Sequence, residues 1–327
     1  MILDLYITHW TEEYKIGQKA FRMLGLQRGV NWDEIRVTLV HDGSGPFPEQ
    51  FFSGLPFEMR QICLEHGGIA KARNWCIDDS EADWIKWCDF DDMFSNVYSL
   101  RNIMHALEQD PPMDLLWFDM YGEDTETGRV VLSDARDPIT VHQKVFRREF
   151  LIEHNLRFPE FLTWCEDSAM LAVLEMEIDH QRIGKIKAEA PLYCWIFRKG
   201  SLCNREDILF DNLKSFYLRH RYVQDEFKKR GHINEYTMMT VRVLADSCFS
   251  LTLAGVKEDT TEHEKEVWNY YQEHKEDLLR LRAHQVQEVI DAVNRENRGC
   301  DITVKSFLDW LRSLKEKYGE GAESCLS

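Results

Sequence analysis

Apolar and polar positions switch between two periods along the first part of the chain. A β-rich run over residues 3–8 is followed by a helical pattern over 12–26, then by the apolar run "IRVTLV" at 35–40, which "HDGSG" halts. A third strand is predicted near 60–65. Gly67 and Gly68 then open a helix that ends near residue 80, and 84–88 supplies another strand. Strands alternating with helices in this way predict a mostly parallel sheet covered by helices.

After another apolar segment at 114–121 the register is mixed. Helices are predicted near 141–154 and up to 176, with strand-like runs at 182–188 and 192–197. From 205 onward the pattern becomes long amphipathic helices, over 206–230, 234–256, 261–297 and 302–318. The expected organisation is an α/β domain in 1–204 followed by an α-helical region in 205–327.

The chain has 327 residues, 44% of them hydrophobic, which is enough for a large core. No stretch approaches about 18 consecutive apolar residues. The opening "MILDLYITHW" has neither a basic region nor a small-residue cleavage site. Neither a membrane span nor a signal peptide is expected, and the cytoplasm is the expected location. The 9 cysteines form no CxxC pair and no zinc spacing, so they read as reduced thiols.

Net charge is −17. Residues 1–204 hold 21 Lys and Arg against 34 Asp and Glu, and 205–327 hold 19 against 23. This balance lacks the basic stripe of a nonspecific nucleic-acid binder, so an anionic ligand has to be held by a local device such as a metal ion.

The sharpest chemical signal is "DFDD", where Asp89, Asp91 and Asp92 follow a strand directly. One Asp can cap the next helix, but three exceed that need. Mg²⁺ or Mn²⁺ would neutralise them, since such ions take one or two carboxylates plus the phosphates of a substrate. Ligands of open α/β sheets bind outside the carboxyl ends of the strands, so "THW" (8–10), "HDGS" (41–44) and "DFDD" should share one crevice. Gly67 and Gly68 allow close backbone approach at a helix start, with Lys71 and Arg73 in the turns that follow. In "CED" (165–167), Glu166 and Asp167 either complement a helix N-terminus or act on a substrate proton. Trp164 and Trp195 either stack on a sugar ring or fill the core.

In chain order, "VTLVHDGS", "GGIAKARN", "WCDFDD", "LRFPEFLTWCED" and "RKGS" resemble the signature blocks of family 2 glycosyltransferases of the GT-A fold, bacterial or phage type. The family forms are DDGS, GGxxxARN, LDxDD, GLRFPE leading to ED, and R-x-G-S, and the resemblance covers residues 1–204. It implies a Rossmann-like nucleotide-sugar domain with a mixed, mostly parallel sheet, and inverting transfer of a sugar from a nucleoside diphosphate, UDP in the first instance.

By that resemblance Thr8, His9, Trp10 and Asp42 fall where base and ribose are held, with Gly68, Lys71 and Arg73 beside the nucleotide. Asp89 faces the ribose, Asp91 binds a metal bridging the phosphates, and Asp92 is a second ligand or a helix cap. Asp167 is the general base and Glu166 orients the backbone or acceptor, or the two exchange roles. Arg198 and Ser201 cover the diphosphate on a loop. Phe90 stands where the family has Ser. His142 and Lys144 align with a W-N-K segment beneath the donor sugar, and His142 receives no role.

The expected acceptor is a hydroxyl on a glycan, wall polymer or small molecule; overall acidity weighs against a hydroxylated nucleic-acid base. The C-terminal helices fit acceptor binding, a homo-oligomer contact or packing equally well. A nucleotidyltransferase of similar fold and a noncatalytic nucleotide-binding assembly subunit are the alternative readings.

Overall fold

A computed structural model describes residues 1–109, 112–198, 209–253, 258–297 and 300–319. The elements run β1 (Leu3–His9), α1 (Tyr14–Gly25), β2 (Ile35–Asp42), β3 (Arg60–Leu64), α2 (Ile69–Asp79), β4 (Trp84–Asp89), β5 (Met93–Phe94) and α3 (Ser99–Glu108). They continue with β6 (Leu115–Trp117), β7 (Met120–Asp124), β8 (Val130–Ser133), β9 (Lys144–Arg147), α4 (Arg148–Glu153), α5 (Glu166–Glu177), β10 (Ile183–Lys185) and β11 (Tyr193–Phe197).

Seven strands form one sheet in the order β10-β6-β9-β4-β1-β2-β3. All its pairings are parallel except those of β9, which runs antiparallel between β4 and β6. β1 lies between β4 and β2 and is buried along its whole length, which is why it reads as an apolar run and not as a clean alternation. Leu3, Leu5 and Ile7 pack with Val37, Leu39, Phe21 and Leu24 of α1, and Leu100, Ile103 and Leu107 of α3. On the opposite face of β1, Tyr6 donates to Asp79 at the end of α2 (2.9 Å). A second sheet of four strands, β5-β11-β7-β8, sits beside β4 in sequence through β5. Together the two sheets and their helices make the α/β domain with a mixed, mostly parallel sheet expected from the sequence.

The pairing of β1 with β2 and β4 sets the site. Thr8 lies opposite Val40 on one side and Asp89 on the other, and His9 lies opposite His41. The exits of three strands are thereby aligned.

The remaining helices are α6 (Leu209–Lys229), α7 (Ile233–Thr252), α8 (Thr261–Leu279), α9 (Ala283–Glu296) and α10 (Val304–Tyr318). Val243, Leu244 and Cys248 of α7 share a core with Trp268 and Tyr270 of α8, Ile290 and Val293 of α9, and Phe307 and Leu311 of α10. The chain divides into two compact units, Met1–Arg205 and Glu206–Ser327; the expected boundary near 204 lies outside the described residues. No helix among the described residues is long and apolar enough to cross a membrane.

Three expectations need correction. The helix predicted over 141–154 is strand β9 followed by the short α4. Val145 and Phe146 are fully buried in the sheet, and an apolar run this short does not distinguish helix from strand by period alone. The pattern over 261–297 is two helices, with a new start after Arg282, whose backbone amide donates to Gln285 Oε1 (3.0 Å). Helix α3 and the β7–β8 hairpin, finally, lie in stretches where no element was predicted.

Candidate active site

At the carboxyl end of β4 the acidic residues separate into distinct environments. Asp89 accepts from Thr8 Oγ1 (3.3 Å) and from Arg73 Nη2 (3.0 Å). Asp91 is paired with Arg198 Nε (2.7 Å), whose Nη2 lies 3.5 Å from Glu12 Oε1. Asp92 is buried and accepts from the Tyr193 hydroxyl (3.0 Å) and the Ile196 amide (2.8 Å), tying the acidic loop to β11. Nothing in the sequence marks Tyr193 or Glu12 for these roles.

His142 joins them from just before β9. Its Nε2 is 3.6 Å from Asp89 Oδ2 and its Nδ1 is 3.8 Å from Asp92 Oδ2. Among the described residues its buried Nδ1 has no hydrogen-bond partner. Ligand atoms of Asp89, Asp92 and His142 all lie within 4.8 Å of one another. Two carboxylate oxygens and an orphaned imidazole nitrogen form a donor set suited to Mn²⁺ or Mg²⁺. Asp91, expected among the ligands, is held by Arg198 instead of joining this cluster.

Arg73 is the hinge of the arrangement. It is fully buried, and besides Asp89 its Nη1 donates to Glu166 Oε1 (2.8 Å) at the start of α5. The acidic loop and the "CED" helix, far apart in sequence, therefore share one guanidinium. Asp167, half-buried next to Glu166, accepts only from its neighbour's amide, Ser168 N (2.8 Å), and forms no ion pair among the described residues. Cys165, immediately before α5, holds a left-handed backbone (φ 58°), a conformation that a residue with a side chain adopts only when its surroundings impose it.

These environments shift the acids in different directions. Burial, then Asp167, pushes Glu166 up to about 7 against the pull of Arg73. Burial also raises Asp167, with Arg73 opposing. Asp91 is raised by burial and by Asp89, and Asp92 is held well above the usual range by burial and both neighbouring aspartates. Asp89 falls instead, because His142 and Arg73 outweigh its burial. Burial holds His142 itself down to about 4, so it is neutral at pH 7 and Arg73 carries the charge that keeps Asp89 ionised.

The expected nucleotide contacts are placed unevenly. Thr8 is buried and directed at Asp89 and the Cys88 carbonyl. His9 is buried too, with Nδ1 against His41 Nδ1 (2.9 Å) and Nε2 on the Glu12 carbonyl (2.9 Å). Trp10 is half exposed. Asp42 accepts from the amides of Gly67 (2.8 Å) and Gly68 (3.0 Å) and from His66 Nδ1 (2.9 Å). Gly68 has φ 86° and ψ 164°, a region open essentially to glycine alone, so the turn into α2 requires it. Lys71 is exposed in the first turn of α2. Ser201 lies outside the described residues, and Arg198 is the last described residue of its motif.

Phe90, between the first two aspartates, points down into His9, Phe47 and Phe21, with ring centroids 4.5, 5.6 and 5.6 Å away. It meets α1 at Gly17, where a Cβ would sit 2.5 Å from the ring.

No protein-family model matches the chain. No curated protein sequence matches it either. Among solved structures, the chain has the fold of GT-A glycosyltransferases. It is similar to S. aureus TarS 1–349 in complex with UDP-GlcNAc, with TM-score 0.64 and 18% identity over 98% of this chain and 92% of that one. The same TarS fragment in complex with UDP gives 0.62 and 17% over the same shares. Against S. aureus TarS the TM-score is 0.61 at 18% identity, over 97% of this chain and 55% of the longer one.

Proposed function

We propose that the chain is a metal-dependent inverting glycosyltransferase that moves a sugar from a nucleoside diphosphate, UDP in the first instance, to a hydroxyl. The observation that carries this reading is the Arg73 bridge, which fixes the acidic loop that would receive a donor to the carboxylates that would activate an acceptor. The UDP and UDP-GlcNAc bound by TarS on a similar fold support the choice of nucleotide.

Asp89, Asp92 and His142 would hold Mn²⁺ or Mg²⁺, which supplies positive charge against the diphosphate as it departs. Arg198, held in place by Asp91, would supply a cation to the phosphates. Asp167 takes the acceptor proton, because it is half-buried and uncommitted to a cation, whereas Glu166 is locked to Arg73 and positions it. A raised proton affinity suits Asp167 to that work near neutral pH. Attack by the acceptor oxygen on the face of the sugar opposite the departing nucleoside diphosphate, with Asp167 taking the hydroxyl proton, gives inversion in one displacement. A cytoplasmic location belongs to this proposal as well.

The test is incubation with UDP-sugars and Mn²⁺, UDP-GlcNAc first, with UDP and pyrophosphate release measured side by side. Release of UDP supports transfer. Release of pyrophosphate would reassign the chain to nucleotidyl transfer, and binding of UDP with no turnover toward any acceptor or water would reduce it to a nucleotide-binding subunit.

A further inference from the structure

The ladder between β4 and β9 is short. It pairs Trp84 with Arg147 and Ile85 with Phe146, and stops there. At the next residue of β4 a side chain continues the link: the Lys86 ammonium donates to the carbonyl of His142 (2.6 Å) and to that of Trp87 (2.7 Å). Lys86 is fully buried and forms no ion pair among the described residues. An ammonium buried in that way is costlier than an apolar side chain filling the same place, unless its hydrogen bonds fix something that packing alone would not.

Tyr193 completes the arrangement from the second sheet. The Lys86 ammonium lies 4.4 Å from the centroid of its ring, and the His142 ring is parallel to it, with planes at 6° and centroids 5.9 Å apart. The Tyr193 hydroxyl donates to Asp92 Oδ2 (3.0 Å) and accepts from the Asp89 amide (3.3 Å). Lys86 and Tyr193 thus reach all three candidate metal ligands: His142 by its carbonyl and ring, Asp92 by its carboxylate, and Asp89 by its backbone.

We infer that Lys86 and Tyr193 are a pair of positioning residues that assemble the donor set of Asp89, Asp92 and His142, with Lys86 fixing the His142 backbone and Tyr193 the Asp92 carboxylate. The inference rests on the metal-dependent reading and deepens it. Charge and position act here with opposite signs. An ammonium near the acidic corner repels a divalent cation, so removing one that serves only by its charge would tighten Mn²⁺ binding. Removing one that places a ligand loosens it.

The experiment is calorimetric titration of the full chain with UDP, once in Mn²⁺ and once in EDTA, so that the ratio of the two affinities reports the metal's contribution. The chains are wild type, Lys86→Met, Tyr193→Phe, His142→Ala and the double variant of Lys86→Met with His142→Ala, with melting curves to confirm folding. Lys86→Met and Tyr193→Phe should each lower the ratio by about 10-fold, the scale of losing a group that orients a metal ligand. Affinity in EDTA should stay within about threefold. On top of His142→Ala, Lys86→Met should lower the ratio no further, because the group it places is gone. An unchanged or raised ratio in Lys86→Met, an unchanged ratio in Tyr193→Phe, or full additivity in the double variant would overturn the pair and leave metal-dependent transfer standing. If Lys86→Met does not fold, Tyr193→Phe decides alone, since it keeps the ring and removes only the hydroxyl. A wild-type chain that binds UDP equally in Mn²⁺ and EDTA, or not at all, would overturn the metal reading together with the pair.

Discussion

Both units of the molecule bury ionised groups, but they complete them differently. In the helical unit Asp246 is paired with His220 Nε2 (2.8 Å) and with Arg242, whose other arm reaches Glu296. Burial pushes Asp246 up, yet His220 and Arg242 outweigh it and bring it down to about 2. His220 is itself held down to about 4 by burial, so the charge that does this belongs to Arg242. In the α/β unit the corner of Asp89, Asp91, Asp92, Glu166 and Asp167 has only Arg73 and Arg198 in direct ion pairs among the described residues. The two buried lysines close by, Lys86 and Lys144, donate to backbone carbonyls instead. Four of the five acids are therefore raised. A charge cluster that closes on itself is architecture, whereas one left short of cations is a site that waits for one.

That contrast can be broken at several points. The largest effect should come from Asp167→Asn: sugar transfer falls by about 10² or more, the scale of losing a general base, while UDP binding is retained. Near-normal turnover would move the base to another group. In the helical unit, Asp246→Ala should lower unfolding free energy in denaturant by about 3 kcal/mol, because it removes the buried carboxylate that His220 and Arg242 share. It should leave the response to UDP and Mn²⁺ intact; loss of that response would mean that the two clusters are not independent.

Thermal shift with UDP, with and without Mn²⁺, separates the candidate ligands. His142→Ala and Asp92→Asn should each lose the Mn²⁺-dependent part of the stabilisation, which for a ligand at about 100 times its Kd amounts to about 2.7 kcal/mol. Asp91→Asn should retain most of it. Equal losses in all three variants would place Asp91 among the ligands from the outset.

The smallest effect is on pH dependence. Glu166 ionises near its ordinary value of 4.5 when unfolded and near 7 when folded, so across that window the folded state holds the extra proton. Metal-free stability should therefore fall as pH rises from about 4.5 to 7. Glu166→Gln should flatten that slope, and an unchanged slope would discount the burial of Glu166. Asp246 has the opposite sign: its contribution is present above its unfolded value of 3.8 and is lost as pH drops toward 2.

Much of this was legible because it is local. The strands of the first sheet are apolar runs stopped by turns, and "DFDD" marks the acidic corner by sheer density of carboxylates. His142 was not legible as a neighbour of the acidic loop, because it reaches Asp89 and Asp92 only through β9 running antiparallel beside β4, and its segment reads as helix. Arg73 could be marked as a cation near the nucleotide, but nothing in its neighbours says that its guanidinium turns inward to Glu166, 93 positions away. The surplus of mid-helix polarity in α7 hid Asp246 in the same way, since a buried ion pair between helices leaves no mark on periodicity.

The contact between Phe90 and Gly17 ties two distant stretches of sequence into one inheritance. A glycine inside α1 costs about 1 kcal/mol of helix stability relative to alanine, and here the bare backbone makes room for the ring wedged under the acidic loop. Restoring a methyl at 17 would lever the loop upward, and trimming the ring at 90 would leave it unsupported. The loop and the first helix therefore form one unit, and transplanting the loop would succeed only when that helix travels with it.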